Sequence, residues 1–172
     1  MNDPLTLLKQ DHKEVKKLLK ALRRTEEGPT RRSLLADLDR SIALHATLES
    51  EMSASASAGI SEAAARQGEL EHELINRSLS NLHDLAVSPE FCVAVAMLGG
   101  GFKHHVKSIE RQVLPQLKEA LGKEGWWSLG DHIAVARSDA LFRPETPRPL
   151  QVVSAPTTKT LSKLPPAKTA TA

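Results

Sequence analysis

The sequence predicts an all-α protein, an antiparallel up-down-up-down four-helix bundle with a short C-terminal helix and a disordered tail. Apolar residues recur at helical spacing in four segments, and each segment gathers them on one face. Clusters of glycine, proline and serine separate the segments and leave only short connections between them. Short connections between amphipathic helices are typical of antiparallel neighbours in a bundle.

The first helix is predicted to begin behind Asp3, a capping residue that is followed by a proline at the first helical position. Its apolar stripe comprises Leu5, Leu8, His12, Val15, Leu19 and Leu22. The second helix is predicted over about 30–54, after Gly28 and Pro29, and loosens into a serine- and alanine-rich connection at 53–59. Its stripe comprises Leu34 or Leu35, Leu38, Ile42, His45, Glu49 and Met52.

The third helix is predicted over about 61–86, and the fourth over about 88–121, starting with the cap-plus-proline pair Ser88 and Pro89. The third stripe comprises Ala65, Glu69, His72, Ile75 or Asn76, Leu79 and Leu82. The fourth stripe comprises Leu98, Phe102, His105, Ile109, Gln112 and Gln116. Both stripes follow the helical period, so each of these helices is predicted to turn one histidine toward the core.

Three consecutive glycines, 99–101, lie inside the fourth predicted helix. Each costs about 1 kcal/mol relative to alanine in a helix interior, which favours a kink or a break there. A close backbone approach or a route for a small ligand beside His105 is the alternative. After Gly122, a short helix over about 124–141 is predicted to fold back, so that its two tryptophans cover the end of the bundle.

The chain divides into a helical domain over 1–141 and a tail over 142–172 that holds six of the ten prolines. Such a composition cannot supply a core and predicts disorder. Five basic residues and one acidic residue fall in 143–172, a net charge of +4, so the rest of the chain carries −2. The basic character therefore comes from the tail, and the domain is not predicted to bind nucleic acid.

Neither a signal peptide nor an apolar stretch long enough to cross a membrane is recognisable, which predicts a cytoplasmic protein without a membrane partner. The single cysteine, Cys92, excludes an internal disulfide and a cysteine-based zinc cluster. Cys92 lies in an apolar run and is predicted to be buried. The remaining candidates for metal ligands are histidines and carboxylates.

One histidine falls on the apolar stripe of each predicted helix: His12, His45, His72 and His105. Four buried imidazoles without partners would each cost about 1–3 kcal/mol, a cost that a shared metal ion offsets. Counting residues to the helix ends puts His45 and His72 at nearly the same level. The other two neighbouring pairs are offset by three residues, about 4.5 Å, which suits two metal ions about 3.5–4 Å apart.

Carboxylates accompany two of these histidines. Glu49 lies four residues after His45 and on the same helix face, and a buried glutamate without a cation is rare. Glu110 lies five residues after His105 and is less well aimed, while Ile109 holds the position four after. Imidazoles with carboxylates suit iron, zinc or manganese, and bridging carboxylates suit a di-iron pair. The histidines outside the stripes, His83, His104 and His132, are predicted to lie on the surface.

Four segments together resemble the hemerythrin-like, or HHE cation-binding, family: QDHKEV (10–15), ALHATLESE (43–51), LEHELINRSL (70–79) and HHVKSIERQVLPQL (104–117). The resemblance covers about residues 3–140 and implies a non-haem di-iron site in a four-helix bundle. The ligands it implies are His12, His45 with Glu49, His72, and His105 with a carboxylate, for which Glu110 is the candidate. Asn76 stands where the family often has a second histidine in the third helix.

The resemblance implies a protein that binds or senses dioxygen, nitric oxide, peroxide or iron. A catalytic di-iron oxidoreductase is less favoured, because the sequence offers neither a recognisable substrate pocket nor a second domain. The site also admits fewer ligands, an asymmetric iron pair or a single ion. A bundle that has lost its metal and serves as an interaction or structural module is the alternative.

Overall fold

The computed structural model describes residues 2–55 and 61–142, and within these ranges the chain is all-helical, with no strand. The helices are α1 (Pro4–Leu22), α2 (Pro29–Ser55), α3 (Glu62–Asp84), α4 (Phe91–Ser108) and α5 (Leu114–Phe142), and a single π-helical turn, Ile109–Val113, joins α4 to α5. The prediction of an all-α chain is confirmed. The predicted disordered tail lies outside the described residues, apart from its first residue.

The first helix begins as predicted. The Asp3 carboxylate accepts a hydrogen bond of 3.0 Å from the backbone N–H of Thr6, and Pro4 occupies the first turn. The buried face of α1 contains five of the six residues predicted for its stripe, namely Leu8, His12, Val15, Leu19 and Leu22. Gly28, with a φ of 146°, turns the chain into α2. Helix α2 packs against α1, and α3 packs against α4.

Two apolar clusters form the core. The first contains Val15, Leu18, Leu19, Leu22, Leu35, Leu38, Ile42, Ile75, Leu82, Phe91, Ala94, Val95, Leu98, Phe102 and Val106. The second contains Leu8, Leu48, Met52, Ile109, Leu114, Leu117, Trp126, Leu129 and Ile133. His12 lies in sequence between Leu8 of the second cluster and Val15 of the first. His45 lies between Ile42 of the first cluster and Leu48 of the second, and His105 between Phe102 of the first and Ile109 of the second. The histidines therefore form a polar layer between two apolar cores.

Helix α4 runs without interruption through Gly99, Gly100 and Gly101, so the predicted kink or break at the glycines is wrong. The break in α-helical geometry comes ten residues later. In the π-helical turn the N–H of Leu114 donates to the carbonyl of Ile109, five residues earlier. The helix tolerates the glycines because Phe91, Val95, Leu98 and Phe102 on its other face are buried in the first cluster.

The π-helical turn adds one residue to a helical turn and so rotates everything after it. Gln112 and Gln116, which the regular period placed on the core line, are exposed, whereas Leu114 and Leu117 are buried. The prediction that Gln112 and Gln116 face the core is therefore wrong. The rotation buries two leucines in the second cluster in place of two amides, and that burial stabilises the turn.

Other predictions need correction. Cys92 is exposed, because Phe91 and Val95 occupy the buried side of its helix. Helix α4 begins at Phe91, and Ser88 and Pro89 lie in the turn before it. On α3 the predicted residues Ala65, Glu69 and Asn76 are exposed, and the buried residues are Glu71, Ile75 and Leu82. The core-facing side of α3 is thus rotated from the prediction.

Helix α5 bends sharply at Gly122, whose φ of 64° is left-handed, as expected for a glycine that closes a helix. Beyond the bend, Trp126 is buried in the second cluster and its Nε1 donates a 2.8 Å hydrogen bond to Asp3. This contact places the last helical segment against the start of α1. Trp126 lies within the second cluster and the partly buried Trp127 packs against it, and their predicted position at the end of a bundle stays a prediction. No helix within the described ranges is long and apolar enough to span a membrane.

Candidate metal centre

Four of the six predicted ligands converge at the polar layer. His45, Glu49, His72 and His105 each offer one donor atom, and these four atoms all lie within 4.8 Å of one another. His45 and His105 are buried, with exposed fractions of 2% and 0%, and Glu49 is buried beside them. The cluster draws on α2, α3 and α4, so three helices must pack correctly before the four donor atoms meet.

Three of the donor atoms form a nearly equilateral triangle. Nε2 of His45 lies 3.1 Å from Nε2 of His105, and Oε1 of Glu49 lies 3.2 Å from each of these two nitrogens. An ion about 2.1 Å from each ligand holds neighbouring ligand atoms about 3.0 Å apart in octahedral coordination and about 3.4 Å apart in tetrahedral coordination. The triangle has the dimensions of one face of a metal coordination sphere.

His72 completes the cluster from α3. Its Nε2 lies 2.8 Å from Oε2 of Glu49, but the angles do not make a hydrogen bond, and this buried nitrogen has no hydrogen-bond partner among the described residues. The two oxygens of Glu49 therefore face different histidines, Oε1 toward His45 and His105 and Oε2 toward His72. The His72 side chain is 25% exposed, so the cluster approaches solvent on the α3 side.

The surroundings of Glu49 favour its ionised form. Burial raises the pKa of Glu49, but the close contacts with His105, His45 and His72 outweigh burial and hold that pKa well below 4.5. Burial lowers the pKa of His105, yet contacts with Glu49 and Glu71 outweigh it and raise the pKa above 6.5. Glu49 is thus ionised, and a metal ion would replace the proton on the His105 nitrogen that faces it.

His12 and Glu110 form a pair beside the cluster. Nδ1 of His12 lies 2.8 Å from Oε1 of Glu110, and the His12 ring lies 4.8 Å from that of His45. Burial and the nearby His45 lower the pKa of His12 to about 4, against the opposing contact with Glu110, so the ring is neutral near pH 7. A neutral ring donates from Nδ1 to Glu110 and turns a lone pair outward on Nε2.

Nε2 of His12 is buried and has no hydrogen-bond partner among the described residues. An unpaired buried acceptor costs about 1–3 kcal/mol, and a metal ion bound to this nitrogen would offset that cost. Glu110 holds the opposite ring nitrogen, as carboxylates commonly do for metal-binding histidines. The pair lies outside the four-residue cluster, and the assignment of both residues as ligands stays a prediction.

Glu71 was not predicted as part of the site. Its Oε2 accepts a 3.0 Å hydrogen bond from Nδ1 of His105, on the side of the ring away from Glu49. Its Oε1 accepts a 2.8 Å hydrogen bond from the Gln67 amide, which also reaches the Ser108 hydroxyl at 3.1 Å. Glu71 therefore fixes the orientation of His105 and leaves its Nε2 for the cluster. Glu71 has helical spacing with Ile75 and Leu82, a signal that makes it a candidate for the buried face of α3 but does not single it out.

Replacing Glu71 by glutamine is expected to weaken metal binding about 10–100-fold, because an uncharged amide orients His105 less firmly and lowers its basicity. The substitution is nearly isosteric, so the helix content should not change. Equilibrium dialysis measures the dissociation constant. Glu73→Gln, which alters an exposed carboxylate on the same helix, is the matched control and should leave the constant unchanged. Equal constants for the two variants would exclude the orienting role.

Besides Glu49 and Glu71, the carboxylate of Asp11, which precedes His12 in the sequence, is buried. Nη2 of Arg137 lies 2.8 Å from Oδ1 of Asp11, a contact that fastens α5 to α1 close to the site. Burial raises the pKa of Asp11, although Arg137 and His45 oppose this. The remaining histidines lie where they were predicted, since His83, His104 and His132 are all exposed. The cluster that the described residues form is therefore built from three of the four stripe histidines and Glu49.

Comparison of the chain with protein-family models, curated proteins and solved structures found no match.

Proposed function

We propose that this chain is a non-haem iron protein of the hemerythrin-like type that binds or senses a small ligand such as dioxygen, nitric oxide or peroxide. The observation that carries the proposal is the triangle of His45 Nε2, His105 Nε2 and Glu49 Oε1, with sides of 3.1–3.2 Å. Shared protons can join these atoms in pairs, since His105 Nε2 is within hydrogen-bonding distance of both others, whereas one metal ion would serve all three at once.

The donor set supports a transition metal. Three imidazoles and one carboxylate suit iron, zinc and manganese, whereas calcium and magnesium prefer oxygen ligands throughout. Four protein ligands leave open positions on a five- or six-coordinate ion, which accept an exogenous ligand. Iron is chosen over zinc because the hemerythrin-like resemblance implies it. The partial exposure of His72 gives a small molecule a path to the open positions, whichever of these metals binds.

A second ion is proposed beside the first, held by His12. Its buried Nε2 lacks a partner among the described residues, its ring lies next to that of His45, and Glu110 holds its Nδ1. Both oxygens of Glu49 face ligands of the first ion, Oε1 toward His45 and His105 and Oε2 toward His72, so the second ion rests on His12 alone. In this proposal Glu110 orients His12 in the way that Glu71 orients His105.

The proposed frame is an antiparallel four-helix bundle. Leu8 of α1 lies in the second cluster and Val15 in the first, whereas along α2 Ile42 lies in the first cluster and Leu48 in the second. This order supports opposite directions for α1 and α2. From α4 into the π-helical turn the order is again first cluster then second, because Phe102 and Val106 precede Ile109, and on α3 the first-cluster residues follow His72. Both support the up-down-up-down arrangement.

Metal analysis of iron-loaded protein with an optical spectrum in air tests the proposal. Two irons per chain are expected, with a near-ultraviolet charge-transfer band. In His12→Ala the stoichiometry should fall from two to one, because the second ion loses its histidine while the cluster of four remains. His83→Ala changes an exposed histidine and should keep two.

Each part of the proposal fails separately. If the wild-type chain retains no metal after loading, the proposed metal centre is wrong. The alternative, a helical bundle that serves as an interaction or structural module, then becomes the proposed function. One zinc per chain, without a visible or near-ultraviolet band, replaces iron in the proposal. A single iron in both wild type and His12→Ala removes the second ion alone.

A further inference from the structure

A cavity of about 150 Å³ lies between α3 and α4 on the far side of Glu71 from His105 Nε2. Its walls are mostly apolar, and it is lined by Glu71, Leu74, Ile75, Ser78, Leu98, Gly101 and His104. The residues of the metal cluster itself do not line it. The cavity is thus separate from the coordination positions of the proposed ion and lies behind the carboxylate that orients one of its ligands.

Gly101 keeps one wall of the cavity open. A side-chain carbon added there would meet no atom within 4 Å among the described residues, so the space is left empty by the absence of a side chain. Gly101 lies in an uninterrupted α-helix and its φ is not left-handed, so no backbone conformation requires glycine at this position. Gly99 and Gly100 share this conformation and this free space without lining the cavity, so Gly101 is distinguished from them by its place in the lining.

The volume and lining define the class of occupant. A volume of about 150 Å³ is large enough for a molecule such as xenon or benzene. The cavity has a buried floor, formed by Ile75 and Leu98, and a mouth open to solvent, where Leu74, Gly101 and His104 are exposed. Leu74, Ile75 and Leu98 supply apolar walls, while the polar atoms of Glu71 already have partners in Gln67 and His105. The occupant that fits is a small uncharged apolar molecule, and an anion would face the Glu71 carboxylate.

Glu71 connects the cavity to the metal centre. One edge of this residue lines the cavity, and its Oε2 accepts the hydrogen bond from Nδ1 of His105. His104 also lines the cavity and lies 3.4 Å from the other oxygen, so both oxygens of Glu71 have contacts that an occupant can displace. A change in the position of Glu71 alters the orientation and the basicity of His105.

We propose that the cavity between α3 and α4 is a second ligand site, which takes a small uncharged apolar molecule and changes the metal centre through Glu71. Binding of the apolar molecule, the first half of the proposal, needs no metal. The effect on the metal centre, the second half, rests on the proposed function.

Xenon is the probe for the first half. In metal-free protein, rising xenon pressure should shift the methyl NMR signals of Leu74, Ile75 and Leu98 along a saturating curve. In Gly101→Leu the new side chain fills the cavity, and the affinity for xenon should fall at least tenfold. Gly100→Leu is the matched control, because Gly100 is also free of neighbours within 4 Å among the described residues but does not line the cavity.

A wild-type protein without saturable shifts, or equal xenon affinities in the two glycine variants, overturns the site. For the second half, saturating xenon should change the optical spectrum of the iron-loaded wild type and of Gly100→Leu but not of Gly101→Leu. Xenon binding without a spectral change refutes the link through Glu71. Xenon binding in a chain that holds no metal would show that the proposed function fails while the cavity site stands.

Discussion

Replacing Glu49 by glutamine is expected to lower the affinity for the metal by more than about 100-fold. Loss of an outer partner of a ligand already costs about 10–100-fold, and Glu49 contributes a charge and two oxygens directly. It is also the anion that faces His45, His72 and His105, so glutamine leaves these three imidazoles without the negative charge that they share. Metal competition with a chromophoric chelator measures the affinity.

Glu51→Gln is the control for this prediction. Glu51 lies on the same helix two residues later, is half-exposed, and contacts His132 on the surface. It should bind metal like the wild type. Circular dichroism of both variants verifies that the helices are intact. If Glu49→Gln kept wild-type affinity in a folded chain, the cluster of four would not be the metal site.

Replacing Phe102 by alanine is expected to lower the free energy of unfolding of the metal-free protein by about 3–5 kcal/mol. Phe102 is 1% exposed, and the centre of its ring lies 5.7–6.1 Å from the ring centres of His12, His45 and His105. All three histidine rings therefore pack against it. The substitution leaves a cavity that these aliphatic and imidazole neighbours cannot fill. Urea denaturation followed by circular dichroism measures the change.

Lys103→Ala is the control, because this lysine is exposed on the same helix turn. Its effect should stay within about 0.5 kcal/mol, as is usual for surface positions. Phe102→Ala should also bind metal more weakly, because the histidines lose the surface that holds their rings. A destabilisation below 1 kcal/mol would mean that the polar layer does not depend on this ring.

The part of the fold set by local chemistry was predictable from the sequence. In α1 the cap Asp3, Pro4 and the 3-4 spacing of Leu8, His12 and Val15 give both the start of the helix and its buried face. Each of these signals acts within one or two helical turns. The same spacing predicted the polar layer. His12, His45 and His105 are buried as predicted, whereas His72 is only partly buried because the core-facing side of α3 is rotated.

The π-helical turn at Ile109–Val113 was not predictable from the period of the sequence. A regular helix would bury Gln112 and Gln116, and only the packing of Leu114 and Leu117 into the second cluster favours the extra residue. That preference comes from tertiary contacts with other helices. The turn also contains Glu110, which faces His12 rather than the histidine that precedes it in its own helix.

Glu71 was missed for a related reason. The sequence offered two overlapping faces on α3, one through Glu69, His72 and Asn76 and one through Glu71 and Ile75. Periodicity alone does not decide between faces separated by about 100° when both carry apolar residues. Packing against α4 decides it, because the buried face of α3 must bring Glu71 to Nδ1 of His105. His72 then lies at the edge of the buried face, where it is partly exposed.

Anomalous scattering at the iron absorption edge, from crystals of iron-loaded protein, tests the central claim most directly. The account predicts a peak about 2.0–2.3 Å from Nε2 of His45, from Nε2 of His105 and from a carboxylate oxygen of Glu49. A loaded crystal without a peak at this position, or with peaks only at surface histidines such as His83, would contradict it.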